Sequence, residues 1–278
     1  MNLNLKSKAE NTYDAIVVGS GISGGWAAKE LTEKGLKTLV LERGYDIKHP
    51  EGYKTALKAP WELEHRGRLT QEQLQKTKVK QKRLGYARED IIHMFVNDVD
   101  NPYQEDKRFD WLRGYHKGGR SIMWGRQSYR LSQMDFEANA KDGIGVDWPI
   151  RYPDLAPWYS HVEQFAGISG NRDGIPHLPD SDVLPAFELN CVEKHIQQSV
   201  REKYEGERHV IIGRCAHLTE PQEIHIKQGR GKCLARHVCY RGCPFGAYFS
   251  SNSSTLPWAA KTGNLTTKTH AVVHSILY

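Results

Sequence analysis

The chain has 278 residues, a mass of 31.7 kDa and a net charge of +6, from 39 basic and 33 acidic residues. This mild charge and a mean hydropathy of -0.64 argue against membrane-spanning helices. The first residues, 1–12, are polar and lack the apolar run of a secretory signal. We therefore expect a cytoplasmic protein without a membrane span.

A basic stretch lies within a predicted amphipathic helix over residues 70–83. Its charged members are Lys76, Lys78, Lys80, Lys82 and Arg83. No aromatic residues are interleaved with them, and a solvated helix face explains such a run. We expect no nucleic-acid partner.

The first clear elements predict a βαβ unit. Residues 14–18 are an apolar, β-rich run that ends at Gly19, as expected of a buried parallel strand. Residues 24–34 have the pattern of a helix, and residues 37–41 are a second strand that ends at Glu42. The sequence therefore predicts an α/β fold of Rossmann-like type with a parallel sheet, and α+β elements in its insertions.

The turn between the first strand and the helix has the glycine pattern of dinucleotide-binding proteins. Its residues are Gly19, Ser20, Gly21, Ile22, Ser23 and Gly24. Gly19 permits the tight turn, Gly21 lets the backbone approach a pyrophosphate, and Gly24 allows the helix to pack closely on the strand. The alternative is a glycine-rich turn that binds no ligand.

Glu42 follows the glycines by about 20 residues, where a carboxylate accepts the ribose hydroxyls of a dinucleotide. An acidic residue here disfavours a 2'-phosphate and leaves FAD or NAD as the ligand. This motif alone does not separate the two. We include the adjacent Arg43 among the candidate cofactor-binding residues.

A second glycine cluster spans residues 114–126. Gly118 and Gly119 would let backbone amides approach a ligand, and Ser121 offers a hydroxyl. Paired glycines followed by serine, a bulky residue and Trp124 resemble the second flavin-contacting stretch of glucose-methanol-choline oxidoreductases, especially the branch of pyranose oxidase and sugar dehydrogenases. The resemblance implies FAD. A buried glycine-rich turn packed on the tryptophan is the alternative.

The resemblance also bears on how FAD is held. In pyranose oxidases a histidine at the place of Met123 carries a covalent flavin bond, which methionine cannot form. We therefore expect noncovalent FAD.

The resemblance continues towards the end of the chain. Residues 147–159 are similar to a tryptophan-proline stretch of the same branch, and there we expect Asp154 to stand at the N-cap of a helix. Residues 262–273 are similar to a family strand whose valine backbone contacts adenine, which implies that role for Val273. A slip of one residue would give it to Val272. We expect two strands within residues 264–278.

Five cysteines, an odd number, indicate thiols or metal ligands rather than a disulfide framework. Cys233, Cys239 and Cys243 could ligate a metal or an iron-sulfur cluster, and some flavin sugar dehydrogenases have a three-cysteine cluster in a comparable region. The spacing is not a standard zinc pattern, and a fourth ligand would have to be His237 or come from elsewhere. We expect buried thiols without metal.

No histidine stands in a recognisable catalytic motif. His116 is nearest to the second glycine cluster, and we expect it to lie behind the site or at the surface. In the family, a histidine pairs with a histidine or asparagine to remove the hydroxyl proton. That pair lies in the C-terminal portion, so we expect the catalytic residues beyond Tyr278 and this chain alone to be inactive.

The resemblance implies an oxidoreductase that acts on CH-OH groups of a sugar or other alcohol, with an unknown electron acceptor. The alternatives are a noncatalytic flavin-binding fragment or pseudoenzyme, and an NAD-linked dehydrogenase. The expected organisation has five parts. They are an FAD-binding βαβ unit (1–48), a charged helical insertion (49–108), the second glycine cluster (109–146), a partial substrate or cap region (147–214), and a cysteine-rich loop that returns to the FAD domain (215–278).

Overall fold

The computed structural model describes residues 12–76, 85 and 87–277. The chain divides into two compact units, which are described separately. Unit 1 consists of Met1–Trp124, Arg236–Gly246 and Ser250–Tyr278, and unit 2 of Gly125–Ala235 and Ala247–Phe249.

The described residues form short strands, α-helices and 3-10 turns. The strands are β1 (Ala15–Val18), β2 (Thr38–Leu41), β3 (Ser169–Gly170), β4 (Leu184–Pro185) and β5 (Leu265–Lys268). The α-helices are α1 (Ile22–Glu33), α2 (Gln71–Lys76), α3 (Gln133–Asp142), α4 (Tyr152–Ala166), α5 (Cys191–Lys203), α6 (Glu223–Lys227) and α7 (Thr255–Lys261). Single 3-10 turns lie at Pro60–Glu62, Ile92–Met94, Gly119–Ile122 and Cys239–Arg241.

Unit 1 is built on a parallel sheet with the strand order β1-β2-β5. Thr38 stands between Ala15 on one side and Leu265 on the other, so β2 is the central strand. The predicted α/β fold with a parallel sheet is therefore confirmed, and the βαβ unit forms as β1, α1 and β2. Helix α1 begins at Ile22, two residues before the predicted start.

One face of this sheet is packed against α1 and α7. The core of this layer contains Val17 and Val40 from the strands, Ala28 from α1, and Leu256 and Ala259 from α7, all at most 8% exposed. The helices bring small side chains to the contact, so their backbones can lie close to the strands. This packing fixes the turn between β1 and α1.

The start of α4 corrects one prediction. Arg151 is the N-cap and Asp154 is the third helical residue, so the expectation of Asp154 as N-cap is wrong. The carboxylate of Asp154 accepts the Arg151 N–H at 2.7 Å, which still caps the helix end. Pro153 explains the earlier start, because proline fits the first turn, where its missing N–H costs no hydrogen bond.

The end of the chain differs from the prediction of two strands. Only β5 forms, and residues 269–277 are not in a strand. His270 has a φ of +54°, a left-handed conformation that ends the extended backbone. Of the helix predicted over 70–83, α2 covers Gln71–Lys76, and residues 77–84 lie outside the described part of the chain, as do the basic residues among them.

Unit 2 contains α3 to α6 and the short parallel pair of β3 and β4. The side chain of Arg130 donates to both carboxylate oxygens of Glu163 on α4, at 2.9 and 2.6 Å. Both side chains are 7% exposed, so this bidentate ion pair is buried. Across the residues that the structure describes, no helix is both long and apolar enough to cross a membrane.

Candidate functional site

The first glycine turn connects β1 to α1 in unit 1, and its three glycines have different surroundings. Gly19 has a φ of +89°. A Cβ atom on Gly24 would lie 2.0 Å from the carbonyl oxygen of Gly19, so only glycine fits there. Gly21 has an ordinary φ of -63°, and no described atom lies within 4 Å of a Cβ built on it. Gly21 thus faces open space.

The N-terminus of α1 lies at this open space. No described side chain caps it, and its first turn contains no acidic residue. The first N–H groups of a helix have no partner within the helix, and they carry a partial positive charge. This end of α1 is suited to bind an anion such as a pyrophosphate.

Glu42 stands directly after β2 and is only 7% exposed. One carboxylate oxygen accepts the N–H of Ser20 at 3.0 Å and its hydroxyl at 2.5 Å, and the other accepts the N–H of Gly44 at 2.8 Å. An ionised carboxylate has about four acceptor positions, so these three bonds hold Glu42 in place and leave capacity for a ligand hydroxyl. The adjacent Arg43 is exposed, and its guanidinium stacks 4.0 Å from the ring centre of Tyr115.

The second glycine turn lies against the first. Gly118 and Gly119 have φ values of +82° and +49°, and the 3-10 turn that contains Ser121 begins at Gly119. A Cβ built on Gly119 would be 3.4 Å from the Cα of Gly21, so the two turns lie close together there. The structure thus brings together two segments that are nearly one hundred residues apart.

Ser20 joins the two turns by hydrogen bonds. Its hydroxyl donates to Glu42 and accepts the N–H of Gly118 at 2.9 Å. Ser20 is fully buried, so no water competes for these bonds. The glycine motif, the acidic residue and the second glycine turn therefore form one connected site.

Three other predicted residues lie around this site. Met123 is half-buried and packs against the apolar cluster that contains Ile122, and Trp124 is also half-buried. Val273 is 36% exposed and lies outside any strand. It follows Ala271 by two residues, and the Ala271 N–H donates to the backbone oxygen of Glu42 at 2.9 Å. The adenine contact of Val273 remains a prediction.

One part of the site was missed by the sequence analysis. Residues 250–255, Ser-Ser-Asn-Ser-Ser-Thr, are all at most 3% exposed. Ser251 donates its N–H to the hydroxyl of Ser121 at 3.0 Å and its own hydroxyl to the Gly21 carbonyl at 2.9 Å. In the sequence, this part of the site is marked by six consecutive small polar residues, the last of which begins α7. Such a run predicts an exposed loop, and only the tertiary structure shows that it is buried.

His116 lies in the interior rather than at the surface. It is fully buried, and its ring is 5.9 Å from that of Tyr45 in an edge-on arrangement. Within the described residues its Nε2 atom has no partner. Burial lowers the pKa of His116 below its usual value, because the charged imidazolium loses its hydration. The backbone carbonyl of His116 accepts the N–H of Gly119 at 2.9 Å, which ties this residue to the second glycine turn.

The cysteines are all free thiols in the described structure. Cys239 and Cys243 belong to unit 1, whereas Cys233 belongs to unit 2. Over residues 12–76, 85 and 87–277, no group of three or more His, Cys, Asp or Glu is placed to hold a metal ion. The metal content of the protein remains a prediction.

Taken together, these features can hold a dinucleotide in unit 1. The end of α1 would bind the pyrophosphate, Glu42 would accept ribose hydroxyls, and the Gly118–Gly119 turn would let the backbone approach the rest of the ligand. The amide oxygen of Asn252 is buried beside Gly118 and has no partner among the described residues. An unsatisfied buried acceptor and the open space at Gly21 favour a ligand site over a merely structural turn.

No family model matches the chain. Among known proteins, it is 27% identical to 6'''-hydroxyparomomycin C oxidase of Streptomyces lividus over 165 residues, which are 58% of this chain and 24% of that protein. It is 26% identical to 2-methyl-1,2-propanediol dehydrogenase of Mycolicibacterium austroafricanum over 63% of the chain and 28% of that protein. It is 28% identical to the gluconate 2-dehydrogenase flavoprotein of Pantoea cypripedii over 57% of the chain and 26% of that protein.

These relatives are oxidases and dehydrogenases, and the comparison confirms the resemblance to oxidoreductases of the glucose-methanol-choline type. The matched region spans only about a quarter of the length of each relative.

Proposed function

We propose that this chain is the FAD-binding portion of an oxidoreductase that oxidises CH-OH groups. The observation that carries the proposal is the hydrogen-bonded connection of the two glycine turns and Glu42 through Ser20. A single glycine motif is common to FAD and NAD proteins. The second glycine turn lies next to the first and would contact the flavin half of FAD, for which the first motif alone provides no residues. The names of the relatives, one of them a flavoprotein, agree with this cofactor.

The residues present fit FAD. The N–H groups at the start of α1 would hold the pyrophosphate, and Glu42 would hold the ribose of the adenosine half. The backbone at Gly118 and Gly119 and the hydroxyl of Ser121 would hold the flavin half. When bound, FAD supplies the acceptor for a hydride from the alcohol carbon.

The proposal gives this chain the tasks of binding and orienting the cofactor. The substrate would be a sugar or another small alcohol, as the names of the relatives suggest. The hydroxyl proton must leave during hydride transfer, and a positioned base typically contributes about 10²–10⁴-fold to such a step. None of the described residues is assigned this role. The electron acceptor is not part of the proposal.

Binding would be noncovalent. The side chain at position 123 is a methionine, which is half-buried against the apolar cluster of unit 1. A thioether does not form the stable bond to the flavin ring that a histidine forms. An iron-sulfur cluster at Cys233, Cys239 and Cys243 is not part of the proposal.

The substitution Gly21→Asp tests the assignment. Gly21 faces open space and has an ordinary φ, so the fold should accept the new side chain, while its negative charge would meet the pyrophosphate. We expect the purified full-length variant to contain no FAD. Flavin content is measured by absorbance after acid precipitation, which should release all flavin from the wild-type protein into the supernatant.

Gly174→Asp is the control for an added carboxylate, because Gly174 also faces open space but lies in unit 2; its φ is +63°, a left-handed conformation that aspartate adopts more readily than most residues. It should retain FAD. Full flavin content in the Gly21→Asp variant would refute the assignment of the turn, and flavin that stays in the acid pellet would refute noncovalent binding.

A further inference from the structure

Ser251 contacts both glycine turns of the site at once. It is fully buried, in the segment 250–255, whose last residue begins α7. Its hydroxyl donates to the carbonyl oxygen of Gly21 at 2.9 Å, and its N–H donates to the hydroxyl of Ser121 at 3.0 Å. It is separated from Gly21 by 230 positions in the chain and from Ser121 by 130.

The bond to Gly21 orients the first turn. The same carbonyl also accepts the N–H of Gly25 at 2.8 Å, the first hydrogen bond of α1. A peptide group is planar, so fixing the carbonyl of Gly21 also fixes the N–H of Ile22 on the opposite side. That N–H belongs to the start of α1, which is the end suited to a pyrophosphate. Ser251 therefore controls the direction of a ligand-facing donor without contacting the ligand itself.

The bond to Ser121 orients the second turn in the same way. The hydroxyl of Ser121 donates to the carbonyl oxygen of Gly118 at 2.5 Å while it accepts the N–H of Ser251. A hydroxyl has one donor, so Ser121 is fixed in this orientation by Ser251. The Gly118 carbonyl is thus held by Ser121, while the N–H of Gly118 donates to Ser20 of the first turn.

The neighbouring Asn252 supports the same arrangement. Its amide nitrogen donates to the carbonyl oxygens of Ile47 and Lys117, at 2.9 and 3.2 Å. Its amide oxygen has no partner among the described residues and lies 2.5 Å from a Cβ built on Gly118. Asn252 is 3% exposed, so an unsatisfied acceptor points at the glycine turn from inside the protein.

We propose that Ser251 is a positioning residue that sets the two glycine turns at the separation required by a dinucleotide pyrophosphate. This inference rests on the proposed function. Pre-organised donors bind a ligand more tightly, because their ordering is completed before the ligand arrives. Loss of the Ser251 hydroxyl should therefore weaken the binding of the pyrophosphate more than that of the nucleoside.

The test uses the full-length protein, stripped of flavin, and the substitution Ser251→Ala. The dissociation constant of FAD is measured by titration of flavin fluorescence, and the inhibition constants of ADP and adenosine by competition with FAD. One lost hydrogen bond corresponds to a change on the order of tenfold. We expect a loss of that size for FAD and ADP, and an unchanged constant for adenosine.

Ser253→Ala is the matched control. Ser253 is 2% exposed, and among the described residues its hydroxyl bonds only to Ser250, at 2.9 Å from the hydroxyl and 3.3 Å from the carbonyl oxygen. Its removal should leave all three constants unchanged. Two results would overturn the inference, because they would show that Ser251 only contributes to packing. One is an equal loss of FAD affinity in both variants, and the other is an equal loss of ADP and adenosine affinity in Ser251→Ala.

Ser251→Cys covers the case in which the alanine variant does not fold. The thiol is close to the hydroxyl in volume and is a much weaker donor, so the same selective loss is expected. An unchanged affinity for ADP in the cysteine variant would also overturn the inference. If the wild-type protein binds no FAD, both the proposed function and this inference are wrong. If the wild-type protein binds FAD and the Ser251 variants bind FAD and ADP equally well, only the inference is wrong.

Discussion

At the scale of single residues, two glycines of the first turn have different roles: Gly24 is needed for folding, and Gly21 for ligand binding. A Cβ on Gly24 would meet backbone atoms at 2.0 Å, whereas a Cβ on Gly21 would meet nothing within 4 Å. We expect Gly24→Ala to lower the free energy of unfolding by a few kcal/mol, on the order of the largest single-residue effects. Gly21→Ala should leave stability unchanged and weaken FAD binding. Urea denaturation and flavin titration of both variants check this, and a stable Gly24→Ala protein would contradict the geometry.

The roles of these residues were predictable only in part. The spacing of the glycines and of Glu42 is local information, and it identified the residues that the structure brings together. The bond from Gly118 to Ser20 spans 98 positions, and that from Ser251 to Gly21 spans 230. Such bonds depend on how the chain folds back on itself, and no periodicity in the sequence reports it. Ser20 could be named as part of a motif, but its connecting role and that of Ser251 could not.

At the scale of elements, a buried ion pair holds the cysteine-containing segment of unit 1. Asp90 is fully buried and accepts bonds from Arg241 at 2.8 Å and from Arg88 at 2.7 Å. Arg241 also donates to the carbonyl oxygen of Lys58 at 2.9 Å. The Cys239–Arg241 turn is thereby fixed to the segment around residues 55–58.

We expect Asp90→Asn to destabilise the protein by about 3–5 kcal/mol, because it leaves the guanidinium of Arg241 buried without its countercharge. The measurement is the free energy of unfolding in urea. Glu188→Gln, which breaks an exposed pair with Lys194, is the control and should have no measurable effect. Equal stability of the two variants would show that the Asp90 network does not stabilise unit 1.

The elements that the sequence predicted well are those with a strong local pattern. Strands β1 and β2 are apolar runs, and α1 lies between them with glycines at both ends. The end of the chain was harder, since residues 269–277 alternate polar and apolar side chains as a strand does. Their conformation is decided by His270, whose left-handed backbone turns the chain so that Ala271 bonds to Glu42. A positive φ at a residue other than glycine is not readable from the sequence.

At the scale of the whole molecule, one face of the unit 1 sheet is exposed along its edge strand β1. Ile16 and Val18 on β1 are each 61% exposed, while Val17 between them is buried under the helices. Parallel sheets are normally covered on both faces. On the same face, Leu39 of the neighbouring β2 is only 8% exposed, so the uncovered apolar surface lies on β1.

We therefore expect the 278-residue chain, expressed alone, to aggregate and to show no alcohol oxidation. The double substitution Ile16→Thr and Val18→Thr should reduce aggregation, because threonine keeps the preference for a strand and removes apolar surface. Light scattering measures the effect. Val17→Thr is the control, which should instead unfold the protein. A monodisperse wild-type chain would show that the exposed Ile16 and Val18 do not cause aggregation.

The central claim is that the two glycine turns and Glu42 form an FAD site. The measurement that tests it most directly is a titration of the flavin-free, full-length protein with FAD, NAD and NADP. We predict that FAD binds most tightly, at about one molecule per chain as one such site requires, and that NADP does not bind, because the carboxylate of Glu42 would repel its 2'-phosphate. Tighter binding of NAD than of FAD, or binding of NADP, would contradict the account.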